Sequence, residues 1–377
     1  MLLAPSEALG LSRSAADEPA PTDLPLSFFE FWPSWLFYAP IILQFIVLAV
    51  RYRSPTLPSA ANPNIAAGGF CGESKCSILD QVADDARSLL PRYAGLRTSV
   101  PADGSKPDRD LAAAEAAMRA AGLTYPLVAK PDIGCNGTGV RLIRDCRALA
   151  RYLAAFPRGE AVLLQEFLPC DGEAGLFYIR HPGEPAGRIT SVTLKYVPCV
   201  IGDGRSTLRQ LILADPRAGR VPHLYLPRLA SRLDAVPLAG ERIRLVFVGN
   251  HCKGSIFRDG AGLATPALAE AVDRLAKALP EFHFGRIDVR FSSTAGLAAG
   301  EGFRVIEING AGSEATHIWD SRTRLLDAWR VQLFHYAEAW RIGAANRARG
   351  YRPIGIVALW RLWRRQKRLM AAYPPND

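Results

Sequence analysis

The chain has 377 residues, 49% of them hydrophobic and 22% charged, a globular composition with room for two or three compact units and a sizeable core. Its net charge of +10 is uneven: residues 1–50 carry −4, which leaves +14 on the remainder, a body suited to anionic partners such as nucleotide or phospholipid. No nucleic-acid module and no stripe of interleaved basic and aromatic residues occurs, which ranks nucleic acid last among those partners. The seven cysteines are odd in number and scattered without paired CxxC spacing, which disfavours a disulfide framework or a zinc site and favours free thiols in a reducing compartment.

In chain order, residues 1–24 are rich in Ala, Pro, Ser and acidic residues and read as a disordered tail. Residues 31–50, FWPSWLFYAPIILQFIVLAV, contain no charge over twenty positions, the length that crosses a bilayer's hydrocarbon core. Trp32, Trp35 and Tyr38 gather at one end as an interfacial belt would, and Arg51 and Arg53 close the other. The expectation is one transmembrane helix within residues 25–53, with the tail outside and everything after Arg51 in the cytoplasm. A buried core helix is the alternative.

Residues 54–74 read as a proline and glycine linker with only short secondary structure. Apolar spacing predicts helices over 77–90, 111–121 and 146–156, and strands over 96–100, 127–129, 140–143 and 163–168. The pattern is alternating α and β without a detectable repeat. Near the C-terminus, residues 354–370 place Leu359, Leu362, Trp363 and Leu369 on one face, surrounded by Arg361, Arg364, Arg365, Lys367 and Arg368. That basic amphipathic helix reads either as lying on an anionic cytoplasmic leaflet or as a last helix packed on the domain.

The central stretch is YPLVAKPDIGCNGTGV, residues 125–140. An apolar strand ends at Lys130 and runs into Gly134, Gly137 and Gly139. Glycines let backbone N–H groups approach an anion, so the loop reads as a phosphate cradle or, equally, as an ordinary turn. Downstream, Glu166 ends the strand of LLQEFL and is followed by Asp171 and Glu173. GRIDVRF sets Asp288 on the face opposite Ile287 and Val289. In FRVIEING, strict alternation puts Val305, Glu307 and Asn309 on one face and Ile306 and Ile308 on the other. Asp288, Glu307 and Asn309 together offer hard oxygen donors suited to Mg²⁺ carrying nucleotide phosphates.

The order of a strand with Lys130, a glycine loop, a strand with Glu166, a late Asp288 and then Glu307-Ile308-Asn309 resembles the ATP-grasp superfamily, which includes D-alanine:D-alanine ligase, glutathione synthetase and cyanophycin synthetase. The likeness covers roughly residues 75–336, and the segment from Gly202 to Leu208 is similar to one in the cyanophycin synthetase branch. The resemblance implies an α/β (α+β) fold of two α+β lobes clamping ATP, with the catalytic domain over 126–345, a trimmed first lobe over 54–125 and the basic helix over 346–377. It implies that Lys75 and Lys130 bind phosphates, that the loop with Gly134, Gly137 and Gly139 closes over them, and that Glu166 and Glu173 sit at adenine and ribose. It places one or two Mg²⁺ (or Mn²⁺) ions on Asp288, Glu307 and Asn309.

Among the basic residues near these strands, Lys195, Arg205, Lys253, Arg258, Arg286 and Arg290, the expected contacts to γ-phosphate and substrate carboxylate are Lys195, Arg258 and Arg286. The reaction implied is an ATP- and Mg-dependent ligation of a carboxylate to an amine through an acyl phosphate, by an enzyme on the inner membrane whose two substrates the sequence does not name. A kinase-like phosphotransferase and a tethered nucleotide-binding protein without catalysis are the alternatives.

Overall fold

The structure, a computed structural model, describes residues 26–100, 108–247 and 249–376, so the expected tail over 1–24 lies outside the described residues. Eleven strands are described, arranged as three antiparallel sheets. The first has the order β1-β4-β2-β3, from β1 (Tyr93–Arg97), β4 (Ala161–Glu166), β2 (Leu127–Pro131) and β3 (Arg141–Ile143). Helices α4 (Asp108–Ala120) and α5 (Cys146–Ala155) cover it. The α5 helix starts where the Asp145 carboxylate accepts the Ala148 amide, and it buries Leu149, Tyr152 and Leu153 at helical spacing. Leu127 and Ala129 turn toward these helices, which points the alternate residues Val128 and Lys130 of the same strand to the cleft.

The second sheet has the order β11-β10-β5-β6-β9 and combines β11 (Phe303–Asn309), β10 (Phe284–Phe291), β5 (Gly172–Ile179), β6 (Arg188–Tyr196) and β9 (Ile256–Asp259). Its main core joins Leu176, Val192, Ile287, Val289, Val305 and Ile308 to α7 (Pro266–Ala278), and it takes in Ile78 and Leu79 of α3 (Lys75–Asp80). The long helix α9 (Leu325–Ala348) closes a second cluster, packing Ala339 and Ile342 with Phe177, Ile179 and Phe284. A small third sheet, β7 (Cys199–Ile201) with β8 (Arg242–Arg244), is capped by α6 (Leu208–Ala214) over Val200, Leu208, Ile212 and Tyr225. The short helix α8 (Thr294–Ala298) links β10 to β11.

The mixed α/β architecture agrees with the expectation; the transmembrane helix does not. Residues 31–50 are broken into α1 (Ser34–Phe37) and α2 (Ala39–Arg51), with Tyr38 out of helical geometry at φ −87°, ψ 0°. Pro40 sits in the first turn of α2, where a missing N–H costs no helical bond. The 13 residues of α2 are about 20 Å long, short of a hydrocarbon core of ~30 Å. Among the described residues no helix is long and apolar enough to cross a membrane. Aromatic packing is the physical reason for the break: Phe29 and Phe37 stack at 5.7 Å and are buried with Phe257, Ile318 and Trp319. Tyr38, expected in an interfacial belt, donates its hydroxyl to Glu314 at 2.8 Å.

Residues 54–74 and 77–90 also differ from the expectation, the first because polar or small residues can be core when their backbone groups find partners. Residues 54–74 are no linker: Leu57 through Asn62 are buried, and the Asn62 amide bridges Gly68 and Phe284 carbonyls while accepting the His283 and Phe284 amides. The helix expected over 77–90 is two pieces, α3 and a 3₁₀ turn at Asp84–Leu89. The C-terminal helix α10 (Ile356–Ala372) packs its last turn, with Leu369 and the following Tyr373 in the core under the first sheet, and leaves Ile356, Val357 and Trp360 63, 61 and 51% exposed. Trp363, expected on the same face as Leu369, is instead on the outer side and 48% exposed.

Candidate active site

A cleft of about 660 Å³ runs between the two large sheets and is lined by Val128, Lys130, Gln165, Glu166, Glu173, Lys195, Arg286, Asp288, Arg290, Ile306, Glu307 and Asn309, among others. The strands place these side chains. The antiparallel pairing of β10 with β11 sets Asp288 opposite Glu307 and Arg286 opposite Asn309. Between Asp288 and Val289 the register shifts, because Ile306 is an extra, bulged residue. The bulge overturns strict alternation: Val305 points into the core with Ile308, whereas Ile306, Glu307 and Asn309 line the cleft. It also aims the Ile306 carbonyl at Lys130, whose Nζ donates to it at 2.9 Å and to Gln165 Oε1 at 2.9 Å.

Lys130 is 7% exposed, and burial pulls its ammonium pKa down to about 8. Lys195, on β6, is equally buried but donates to Asp288 at 2.9 Å and to Glu173 at 3.2 Å. Burial opposes its charge, and Asp288 with Glu173 outweighs burial and raises its pKa. Arg286 reaches Asp288 from the other side through Nε at 3.0 Å, and the Asn309 amide donates to the same carboxylate at 3.2 Å. Burial works against ionised Asp288 too, but Arg286 and Lys195 hold its carboxyl below the usual range. Arg290 lies 3.7 Å from Glu173. Gly249 lets that carboxylate approach, since a Cβ there would meet Glu173 Oε1 at 2.4 Å.

Lys75 begins α3 and donates to the Gly134 carbonyl at 2.7 Å while pairing with Glu307 at 3.5 Å, so it ties the glycine loop to the carboxylate end of the cleft. Gly137 and Gly139 adopt φ +62° and +74°, and a Cβ at Gly139 would meet Pro131 at 2.7 Å. That loop is fastened by α10 and the residues after it. Asn376 accepts the Gly139 amide at 2.8 Å and donates to the Gly137 carbonyl at 2.6 Å, and the Tyr373 hydroxyl donates to Ile133 at 2.7 Å.

The cleft thus collects Lys130, Gly137, Glu166, Glu173, Lys195, Arg286, Asp288, Glu307 and Asn309 around one space. Lys75, Gly134 and Gly139 lie outside its lining, the first two joined to it through Glu307 and the glycine loop, and Arg258 lies farther off. Arg258 is buried on β9, outside the cleft lining, where it donates to the Phe257 carbonyl at 3.0 Å and to Ser321 at 3.3 Å and lies 3.7 Å from Asp320. Arg205 lies on an exposed turn ahead of α6: Asp203 accepts the Ser206 hydroxyl and the Ser206 and Arg205 amides, which pulls the Asp203 carboxyl down to about 2. Glu166 lines the cleft with its carboxylate already bonded to the Arg92 side chain and backbone at 3.1 and 3.0 Å.

Three contributors escaped the sequence reading. Gln165 was legible only as a polar residue inside an apolar strand. Glu73 lines the cleft with Oε2 buried and unpaired, and burial raises its pKa. The segment expected in a membrane supplies Glu30, Phe31, Trp32, Phe37 and Tyr38 to one wall, next to Phe257, Trp319 and Tyr336.

The donor set has the chemistry for a hard divalent ion: Glu307 is open to the cleft, and Asn309, donating through its nitrogen, keeps its amide oxygen for a ligand. Among the described residues, no group of three or more His, Cys, Asp or Glu is arranged as a metal site; Glu307 and the Asn309 amide oxygen are the open donors, and both Asp288 oxygens are engaged by Lys195, Arg286 and Asn309, so an ion there would have to take over those bonds.

No protein-family model and no curated protein matches the chain. Similar solved structures include a bifunctional glutathione synthetase from Pasteurella multocida (14% identity, 68% of this chain and 35% of that one, TM-score 0.34). They also include the VanG D-Ala:D-Ser ligase from Enterococcus faecalis (16% identity, 73% and 62%, TM-score 0.39). A third is a D-alanine–D-alanine ligase from Bacillus anthracis (14% identity, 75% and 69%, TM-score 0.38). The chain therefore spans about a third of the glutathione synthetase and less than two thirds of VanG.

Proposed function

We propose that the protein is an ATP- and Mg²⁺-dependent ligase of the ATP-grasp kind, which activates a carboxylate as an acyl phosphate and joins it to an amine. The observation that carries this reading is the gathering of Lys130, Lys195, Arg286 and Arg290 with Glu173, Asp288, Glu307 and Asn309 in one cleft between two sheets, with Lys75 paired to Glu307 at its edge. A polyphosphate carried with a divalent cation is the ligand that such a mixed set of cations and carboxylates suits. Lys130, with burial uncompensated by a carboxylate at hydrogen-bond distance, is the natural partner of a phosphate oxygen, and Lys75 brings the loop down beside it.

Asp288, Glu307 and Asn309 would hold Mg²⁺, which supplies charge neutralisation at the β- and γ-phosphates when bound. The substrate carboxylate oxygen attacks the γ-phosphorus and ADP leaves with the bonding pair. The amine nitrogen then attacks the acyl carbon, phosphate departs with the C–O pair, and Glu73 is placed to take the proton the amine loses. Arg286 and Arg290 steady the transferred group by charge.

The test is ADP release by the full chain against pools of carboxylic acids, with hydroxylamine standing in for the amine. Formation of hydroxamate that requires ATP, Mg²⁺ and one acid supports the ligase. A stable phosphorylated product that hydroxylamine does not intercept overturns it in favour of a phosphotransferase.

A further inference from the structure

The described surface carries two exposed apolar strips, one on α10 with Ile356, Val357, Trp360 and Trp363 among basic residues, and an uncharged one on α2. On α2, Ile42, Leu43, Ile46, Val47 and Val50 are 52, 64, 55, 56 and 74% exposed. Their spacing confines them to an arc of about 140° on the side away from α9. The opposite side of α2 is anchored: Ile41 is buried, Phe45 meets Trp340 edge-on at 4.6 Å, and Gln44 donates to the Leu333 carbonyl at 2.9 Å. The strip is thus held rigidly in position. Upstream of α2, Phe28 and Trp35 are also 69 and 71% exposed, and α9 exposes Leu326 and Phe334.

Charge at the borders has one dominant sign. Arg51 and Arg53 follow the strip directly, and Arg347 donates to the Tyr52 carbonyl at 3.0 Å. On α9, Arg324, Arg330 and Arg341 keep 82, 76 and 59% of their side chains in solvent, against a single half-exposed acid, Asp327. α2 itself contains no acidic residue.

We infer that α2 is an interfacial helix that lies in the plane of an anionic lipid surface, its apolar strip in the headgroup and acyl boundary and its arginines among the phosphates. Two observations select lipid over a protein partner. The strip is a convex ridge on one helix. An apolar stripe edged by arginine and exposed aromatic residues is the chemistry of in-plane membrane helices, for which a length of about 20 Å suffices. The same segment lines the cleft upstream of α2, so binding of the strip would set the aromatic wall of the cleft against the lipid surface. The inference stands apart from the ligase reading, since it concerns adsorption and not turnover.

The experiment is flotation of the full chain with vesicles of equimolar phosphatidylcholine and phosphatidylglycerol, and with phosphatidylcholine alone. Wild type is expected to float with the anionic vesicles and markedly less with the neutral ones. Ile46→Glu combined with Val47→Glu should lower partitioning at least about tenfold with an unchanged melting midpoint, because both positions are solvent-facing. Should that pair unfold the chain, Val50→Glu at the most exposed position replaces it. Arg51→Ser should weaken binding to anionic vesicles only. Wild type that does not float, or variants that float equally well, overturns the inference. So does light scattering that shows a dimer dissociated by the α2 variants without lipid, since a second copy would then be what covers the strip.

Discussion

Two lysines in one cleft, both almost wholly buried, are driven in opposite directions by their neighbours. Lys195 rests between Asp288 and Glu173, and its pKa is raised; Lys130 has only the neutral acceptors Gln165 and Ile306, and burial lowers its pKa to about 8. A buried charge with its counter-charges in place is part of the fold, whereas one without them stores a desolvation cost that an incoming anion relieves. The difference marks Lys195 as the keystone of the carboxylate end and Lys130 as the group held ready for phosphate.

The largest expected effect follows from the keystone. Lys195→Met strands Asp288 and Glu173 with one cation each and should destabilise the fold by about 3–5 kcal/mol, with turnover lost. Urea unfolding measures the first and ADP release the second. A variant of wild-type stability would break the distinction between the two lysines. Lys130→Met should behave oppositely, leaving stability within about 1 kcal/mol of wild type or higher, while ATP affinity falls roughly 10- to 100-fold for want of a charge-assisted bond. Calorimetric titration with ATP and Mg²⁺ reads that loss, and equal affinity for the variant would remove Lys130 from the phosphate site.

The pH dependence sharpens the contrast. Because the folded pKa of Lys130 is depressed, its desolvation cost is fully present below about 8 and disappears as pH rises through 8 toward the unfolded value near 10.4. The nucleotide-free protein should therefore gain stability from this group over that interval, relative to Lys130→Met, while ATP affinity falls as the charge is lost. Parallel denaturation and ATP titrations at graded pH test it. An affinity that stays flat between pH 7 and 9.5 in wild type would show that the ammonium is not what ATP meets.

The sequence made two of the second sheet's five strands readable, because β10 and β11 each set a carboxylate among alternating apolar residues, whereas β5, β6 and β9 were not foreseen. β10 and β11 lie where that pattern placed them, and Asp288 faces Glu307 across the pair. The bulge at Ile306 was invisible, since one extra residue leaves no compositional mark, and its carbonyl is met by Lys130 of β2 and Gln165 of β4, two strands of the other sheet. Residues 31–50 failed for a related reason: hydropathy counts apolar side chains but not what buries them, and Phe37 and Ile41 find a globular core while Ile46 and Val47 do not. Arg258 was misplaced because an arginine on a strand near the site has a back as well as a front, and Asp320 and Ser321 wait at the back. Asn62, in a stretch read as a proline and glycine linker, was overlooked because its value lies in the four backbone groups it satisfies, three of them at His283 and Phe284 far along the chain.

The smallest expected effect concerns the loop above Lys130. If that lysine awaits a phosphate, the glycine loop must be held where its amides can meet the same anion, and Asn376 holds it by bonding the Gly139 amide and the Gly137 carbonyl at once. Asn376→Ala removes both bonds at a site where water can replace them, so the loss should be about 1 kcal/mol of loop order and not of global stability. The KM for ATP should rise about three- to fivefold, because the loop then spends more time away from the cleft, a population cost that lowers apparent affinity by the competent fraction. Hydrogen exchange at residues 134–139 should quicken, while exchange in β10 around Asp288 stays unchanged, since Lys195 and Arg286 hold that end independently of α10. Equal acceleration at both ends would mean that the two lysines belong to one cooperative unit, and the contrast between them would then be electrostatic without being mechanical.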